Sequence, residues 1–119
     1  MHMDDHSAND RLEIVEALRR VEGELVSFIQ DIADAADVVE LDQGQQGRLS
    51  RIDAMSQQKM AEAQRRRAET RLTRVRNILQ TQDSEDFGCC GDCGDPIPLT
   101  RLRVRPDSVL CVECAQARE

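Results

Sequence analysis

Residues 11–39 read RLEIVEALRRVEGELVSFIQDIADAADVV. Apolar side chains recur there at Ile14, Leu18, Val21, Leu25, Phe28, Ile32, Ala35 and Val39, in steps of 4, 3, 4, 3, 4, 3 and 4. Alternating threes and fours keep one face of an α-helix apolar, and sustained over more than three heptads they form an a/d seam. The spacing predicts an amphipathic helix over residues 8–38, ~45 Å long at a rise of about 1.5 Å per residue. At its start Asp10-Arg-Leu-Glu13 has capping-box spacing, and Ser7 is a second candidate cap. Gly23 lies inside the pattern and costs about 1 kcal/mol against Ala, too little to end the helix.

Outward from this seam, residues 40–48 (ELDQGQQGR) break the period, and Gly44 and Gly47 supply the backbone freedom of a turn. A second helix is expected over residues 49–82. Its ends are apolar, through Leu49, Ile52 and Met55 and then Ala68, Leu72, Val75 and Leu79. Its middle, Ser56 to Arg67, is polar except for Met60, Ala61 and Ala63. That stretch is expected to supercoil loosely or to lie against a third segment. Two long helices joined by a short turn form an antiparallel hairpin. The fold class is therefore mainly α. Residues 1–82 hold a loose N-terminal tail and a coiled-coil hairpin (helix 8–38, tip 39–48, helix 49–82), and residues 83–119 form a separate small domain.

Composition agrees with narrow helical seams rather than a broad core. The chain has 119 residues, of which 39% are hydrophobic, 33% charged and only 2% aromatic, namely Phe28 and Phe87. Residues 1–44 carry a net charge of −9, residues 45–82 of +6 and residues 83–119 of −4. An acidic helix beside a basic one neutralises both, and opposite signs set partner and orientation in coiled coils. The overall charge of −7 disfavours nonspecific DNA or anionic-membrane binding, which need a positive footprint. No stretch approaches the roughly 18 apolar residues of a membrane span. Met1 to Asp10 is acidic and lacks an apolar signal core, so a cytoplasmic location is expected.

All five cysteines fall in residues 89–114. Cys90-x2-Cys93 and Cys111-x2-Cys114 are separated by seventeen residues, a spacing characteristic of zinc sites. Each C-x2-C turn presents two thiolates, and two turns complete a tetrahedron. Four sulfurs leave no open position, so one structural Zn²⁺ is expected. Two disulfides are the competing reading, disfavoured in a reducing compartment. Cys89 is extra, and Cys89-x3-Cys93 is an alternative first knuckle. It is a small apolar filler or a reactive thiol beside the metal. His2 and His6 lie in the loose tail, and neither is assigned to the metal. Between the knuckles, residues 98–106 (PLTRLRVRP) alternate apolar and polar. They are read as a short strand in a β-hairpin, with Leu102 and Val104 on one face and Arg101, Arg103 and Arg105 on the other. A short helix is expected over residues 112–119.

The stretch from Asp86 to Pro106, with Cys111-Val-Glu-Cys114, resembles the DksA/TraR family of bacterial C4 zinc-finger transcription regulators. The matching positions are Phe87, Gly88, Cys90, Cys93, Gly94, Ile97, Arg101, Leu102, Pro106, Cys111 and Cys114. The resemblance implies a partner, RNA polymerase, whose secondary channel admits the coiled coil while the zinc region rests on its rim. In that family acidic residues at the coiled-coil tip act near the active centre, in an Asp-x-x-Asp-x-Ala pattern. Here the nearest stretch is Ser50-Arg-Ile-Asp53-Ala-Met55, and only Asp53 matches. Ser50-x-x-Asp53 also has near capping-box spacing, so Asp53 serves either the tip or the helix start. Some members respond to guanosine tetraphosphate, and the resemblance places Arg105 and Arg74 at basic positions suited to an alarmone or to polymerase. The competing reading is a thiol/zinc redox sensor using Cys89 or a ligand cysteine. No nucleophile–base pair, phosphate loop or open metal site points to an enzyme.

Overall fold

In the computed structural model, residues 6–42 and 48–118 are described, save the side chains of residues 36–42, 48 and 49. Four helices follow in order: α1 (Ala8–Asp42), α2 (Arg48–Gln80), α3 (Leu99–Val104) and α4 (Val112–Ala117). The two glycines of the expected tip turn, Gly44 and Gly47, lie outside the described residues. Ser7 is the cap that α1 uses. Its Oγ accepts from the Asp10 N–H at 3.1 Å, and the Asp10 carboxylate accepts from the Ser7 N–H at 3.3 Å. This reciprocal box satisfies donors that a helix start otherwise leaves unpaired. No helix among the described residues is long and apolar enough to cross a membrane.

The chain groups into two compact units: Gly23–Thr73, and Met1–Glu22 together with Arg74–Glu119. In the first, Leu25 of α1 and Ala54, Ala68 and Leu72 of α2 are buried. Of the apolar residues at the start of α2, Ile52 and Met55 are each 52% exposed, and the Leu49 side chain lies outside those described. The heptad phase of α2 is set by Ala68 and Leu72. Stepped back in fours and threes, it passes through Arg65, Ala61 and Gln58 to Ala54 and leaves Ile52 and Met55 off the seam. Between Ala54 and Ala68 the seam of α2 is thus made of small or polar residues, and Gln58, Ala61 and Arg65 share a gap with Phe28 and Ile32 of α1.

In the second unit, Ile14 and Leu18 of α1 and Val75 of α2 are buried together with Phe87, Ile97 and Leu102. The antiparallel sense is visible in two cross-contacts. Arg76 Nε meets Glu22 Oε2 at 3.1 Å, and Arg11 donates to the Ser84 carbonyl at 3.3 Å. Arg11 also lies over the Phe87 ring, 5.8 Å from its centroid, a cation–π distance. Arg103 reaches Glu13 at 2.7 Å. These contacts fasten the cysteine-bearing segment to the adjoining turns of both long helices.

The segment expected as a β-hairpin strand is instead the helix α3. Leu102 is 1% exposed and Val104 is 86% exposed. Side chains two apart share a face on a strand but point about 200° apart on a helix. Pro98 precedes the first turn, and the Arg101 and Leu102 N–H groups donate to its carbonyl at 3.0 and 3.1 Å. Proline at a helix start gives up a donor that would go unpaired anyway. Strand pairing among the described residues is limited to an isolated antiparallel bridge between Cys89 and Pro96.

Candidate metal centre

The first knuckle is a tight turn closed on itself. The Cys90 N–H donates to the Asp95 carbonyl at 2.8 Å, and the Gly94 N–H returns to the Cys90 carbonyl at 3.0 Å. Gly94 has φ +79°, a left-handed conformation that a side chain disfavours. The second knuckle opens α4. Cys111 is its N-cap, and its sulfur accepts from the Cys114 N–H at 3.4 Å. The two knuckles are joined by the Gly91 N–H to the Val109 carbonyl at 2.8 Å. A two-pronged pair from Arg118 to Asp92, at 2.6 and 2.8 Å, ties the end of α4 to the first turn. The Arg118 hydrogen bond holds the Asp92 carboxyl below its ordinary range.

These links bring the sulfurs of Cys90, Cys93, Cys111 and Cys114 within 4.8 Å of one another. The Cys93 and Cys111 sulfurs are 3.8 Å apart, and all the cysteines are free thiols rather than disulfides. A tetrahedral ion with Zn–S near ~2.3 Å has edges of about 3.8 Å. The donor set therefore fits zinc in number, kind and spacing. The titration of the thiols points the same way. Burial resists ionisation of Cys90, but the N–H groups of Cys93, Cys111 and Asp92 outweigh it and bring the thiol down to about 6. Cys114 is pushed far above the ordinary thiol value, first by its hydrogen bond to Cys111 and then by Cys90. Four thiols so close cannot all ionise alone, and a divalent cation removes that conflict.

Cys89 lies outside the four-sulfur group, which settles Cys90 as the first ligand over the x3 alternative. It is half-buried and lines a small cavity of about 210 Å³ with Phe87, Leu102 and Val109. His6, expected in a loose tail, is placed against the finger, its Nε2 3.3 Å from the Gly88 carbonyl. Arg74, expected as an alarmone or polymerase contact, faces Asp107 at 3.7 Å. Asp107 is completely buried, a partner the sequence reading did not single out. Arg105 is exposed. Asp53 is exposed within α2, and that helix has no acidic residue in its first turn. Ser50 is likewise inside the helix, so the capping reading of Asp53 is not the one the structure adopts.

A long helical hairpin whose base carries a closed four-cysteine zinc site defines a class of small zinc-finger proteins. Residues 85–119 match the prokaryotic dksA/traR C4-type zinc finger. The solved structure of transcription factor DksA2 from Pseudomonas aeruginosa is similar over most of both molecules. The TM-score is 0.79 at 21% identity, covering 94% of this chain and 84% of that one. No curated protein sequence matches the chain. Residues 85–119 are thus a C4-type zinc finger of the dksA/traR kind on a DksA2-like fold, and Cys90, Cys93, Cys111 and Cys114 are its four ligands for one structural zinc.

Proposed function

We propose that this protein is a transcription regulator, not an enzyme, that binds RNA polymerase through its secondary channel. In this reading the zinc finger anchors the base of the hairpin, and the tip, with Asp53 on its α2 side, approaches the active centre. The observation that carries the proposal is the family-type zinc finger fastened to the adjoining turns of α1 and α2 by Arg103–Glu13 and Arg11–Ser84. A closed four-cysteine site supplies rigidity rather than Lewis-acid chemistry, because no coordination position remains for a substrate. Exposed Arg105 is available to an anionic ligand such as guanosine tetraphosphate. Arg74 can join it only by sharing its guanidinium with Asp107.

The deciding experiment is capture of core RNA polymerase by the zinc-loaded protein, with competition from another secondary-channel factor. Competed binding at micromolar protein supports the reading, and absence of binding overturns it. Redox sensing is the second reading, favoured by the exposure of Cys93 at the edge of the zinc site. Zinc release under peroxide titration, compared between the parent and Cys89→Ser, tests it.

A further inference from the structure

The helix α4 has six residues, and none of its side chains is buried. In water an isolated helix shorter than about 12 residues does not hold itself, so α4 depends on its attachments. At one end Cys111 caps it and Cys114 follows a turn later, and both sulfurs belong to the four-sulfur group. At the other end Arg118 forks onto Asp92, Nε to Oδ2 at 2.8 Å and Nη2 to Oδ1 at 2.6 Å. Asp92 stands between the ligands Cys90 and Cys93 of the first knuckle. The fork therefore closes a ring that the metal closes on its other side.

The rest of the site is fastened without the fork. Cys90 is 3% exposed, and its knuckle is closed by the bonds from the Cys90 N–H to Asp95 and from the Gly94 N–H to Cys90. The chain entering the second knuckle is held by the Gly91 N–H on the Val109 carbonyl and by Arg101 Nε on the Leu110 carbonyl at 3.3 Å. Beyond Leu110 the sulfurs and the fork are what tie α4 down. We propose that the Arg118–Asp92 fork is a latch on metal exchange: zinc leaves when α4 peels away about Leu110 and Cys111, with Cys114 the first sulfur to let go, and the fork sets how often this happens. A bidentate arginine–carboxylate pair suits the role, being directional when closed and open to screening by salt. The latch is independent of the polymerase reading, since it concerns only whether the finger keeps its metal.

Zinc transfer from the full loaded chain to a chromophoric chelator tests the proposal, with chelator in enough excess that the rate no longer rises with it. Both side chains of the fork reach solvent, so Arg118→Gln and Asp92→Asn are expected to load one zinc and to keep the parent's circular dichroism. Each should release zinc about fivefold faster than the parent. The double variant should be no faster than either single one, because one interaction is lost in all three. Added salt should speed the parent toward the variants' rate and leave the variants unchanged. Amide exchange of zinc-loaded Arg118→Gln should quicken at Ala115 and Arg118, while Cys90 and Gly94 keep the parent's protection. A parent-like rate in both single variants overturns the proposal. So does a parent whose release rate ignores salt, a test that needs no variant to fold. Equal loosening of Cys90 and Gly94 overturns the peeling of α4 as the exit route.

Discussion

The Asp107 carboxylate is completely buried and lies 3.7 Å from the guanidinium of Arg74, whose side chain is 36% exposed. One residue follows α3 by sequence and the other sits on α2, so a buried charge joins the finger to the hairpin base. Removing the cation takes a counter-charge away from a carboxylate in a dry site, where a poorly compensated ion is costly. Arg74→Met is expected to destabilise by about 1–3 kcal/mol, the range of a buried group losing a partner. Asp107→Asn should cost less than Arg74→Met, because it removes the charge that needs compensating. Urea unfolding of the two variants checks the order, and equal losses would contradict it.

Metal content should be one zinc per chain by elemental analysis. Cys114→Ser is expected to lose the metal and Cys89→Ser to keep it, since only Cys114 belongs to the four-sulfur group. Chelation should abolish cooperative unfolding of the finger, because ligand binding and folding are coupled at such sites.

Gly88 and Gly94 share φ +79° but not surroundings. A Cβ on Gly94 meets nothing within 4 Å, whereas one on Gly88 would stand 2.6 Å from the His6 ring. Gly94→Ala should cost about 1–2 kcal/mol from backbone conformation alone. Gly88→Ala should cost more, and His6→Ala in the same chain should recover part of the difference. Thermal melts of the three variants test this.

Gly23 has open space where a Cβ would project and lies inside α1. Gly23→Ala is expected to stabilise by about 0.5–1 kcal/mol, through helix propensity and a less flexible unfolded chain. A drop in melting temperature would mean that the glycine has another role.

Asp53 is exposed and lies beyond the first turn of α2. If it acts at the polymerase active centre, Asp53→Asn should lower any effect on transcription more than it lowers polymerase capture. Equal loss in both assays would assign it to binding instead.

Much of this molecule is written in local patterns. The 4-3 spacing from Ile14 to Ile32 dictates a helix whatever lies beside it, because the period is a property of the backbone. The two C-x2-C turns name the metal ligands, because ligand geometry tolerates few spacings. Leu99–Val104 is different. Its alternating letters suit a strand, yet Pro98 at the helix start and the burial of Leu102 alone make it a helix, and only neighbours reveal which side chain is buried. The seam of α2 was equally hidden, since alanine, glutamine and arginine mark an interface only once a partner helix sets the phase. The pairing of Arg74 with Asp107 links positions thirty-three residues apart. Distant charges carry no sequence period, so their meeting was decided by the packing of the finger against the helices.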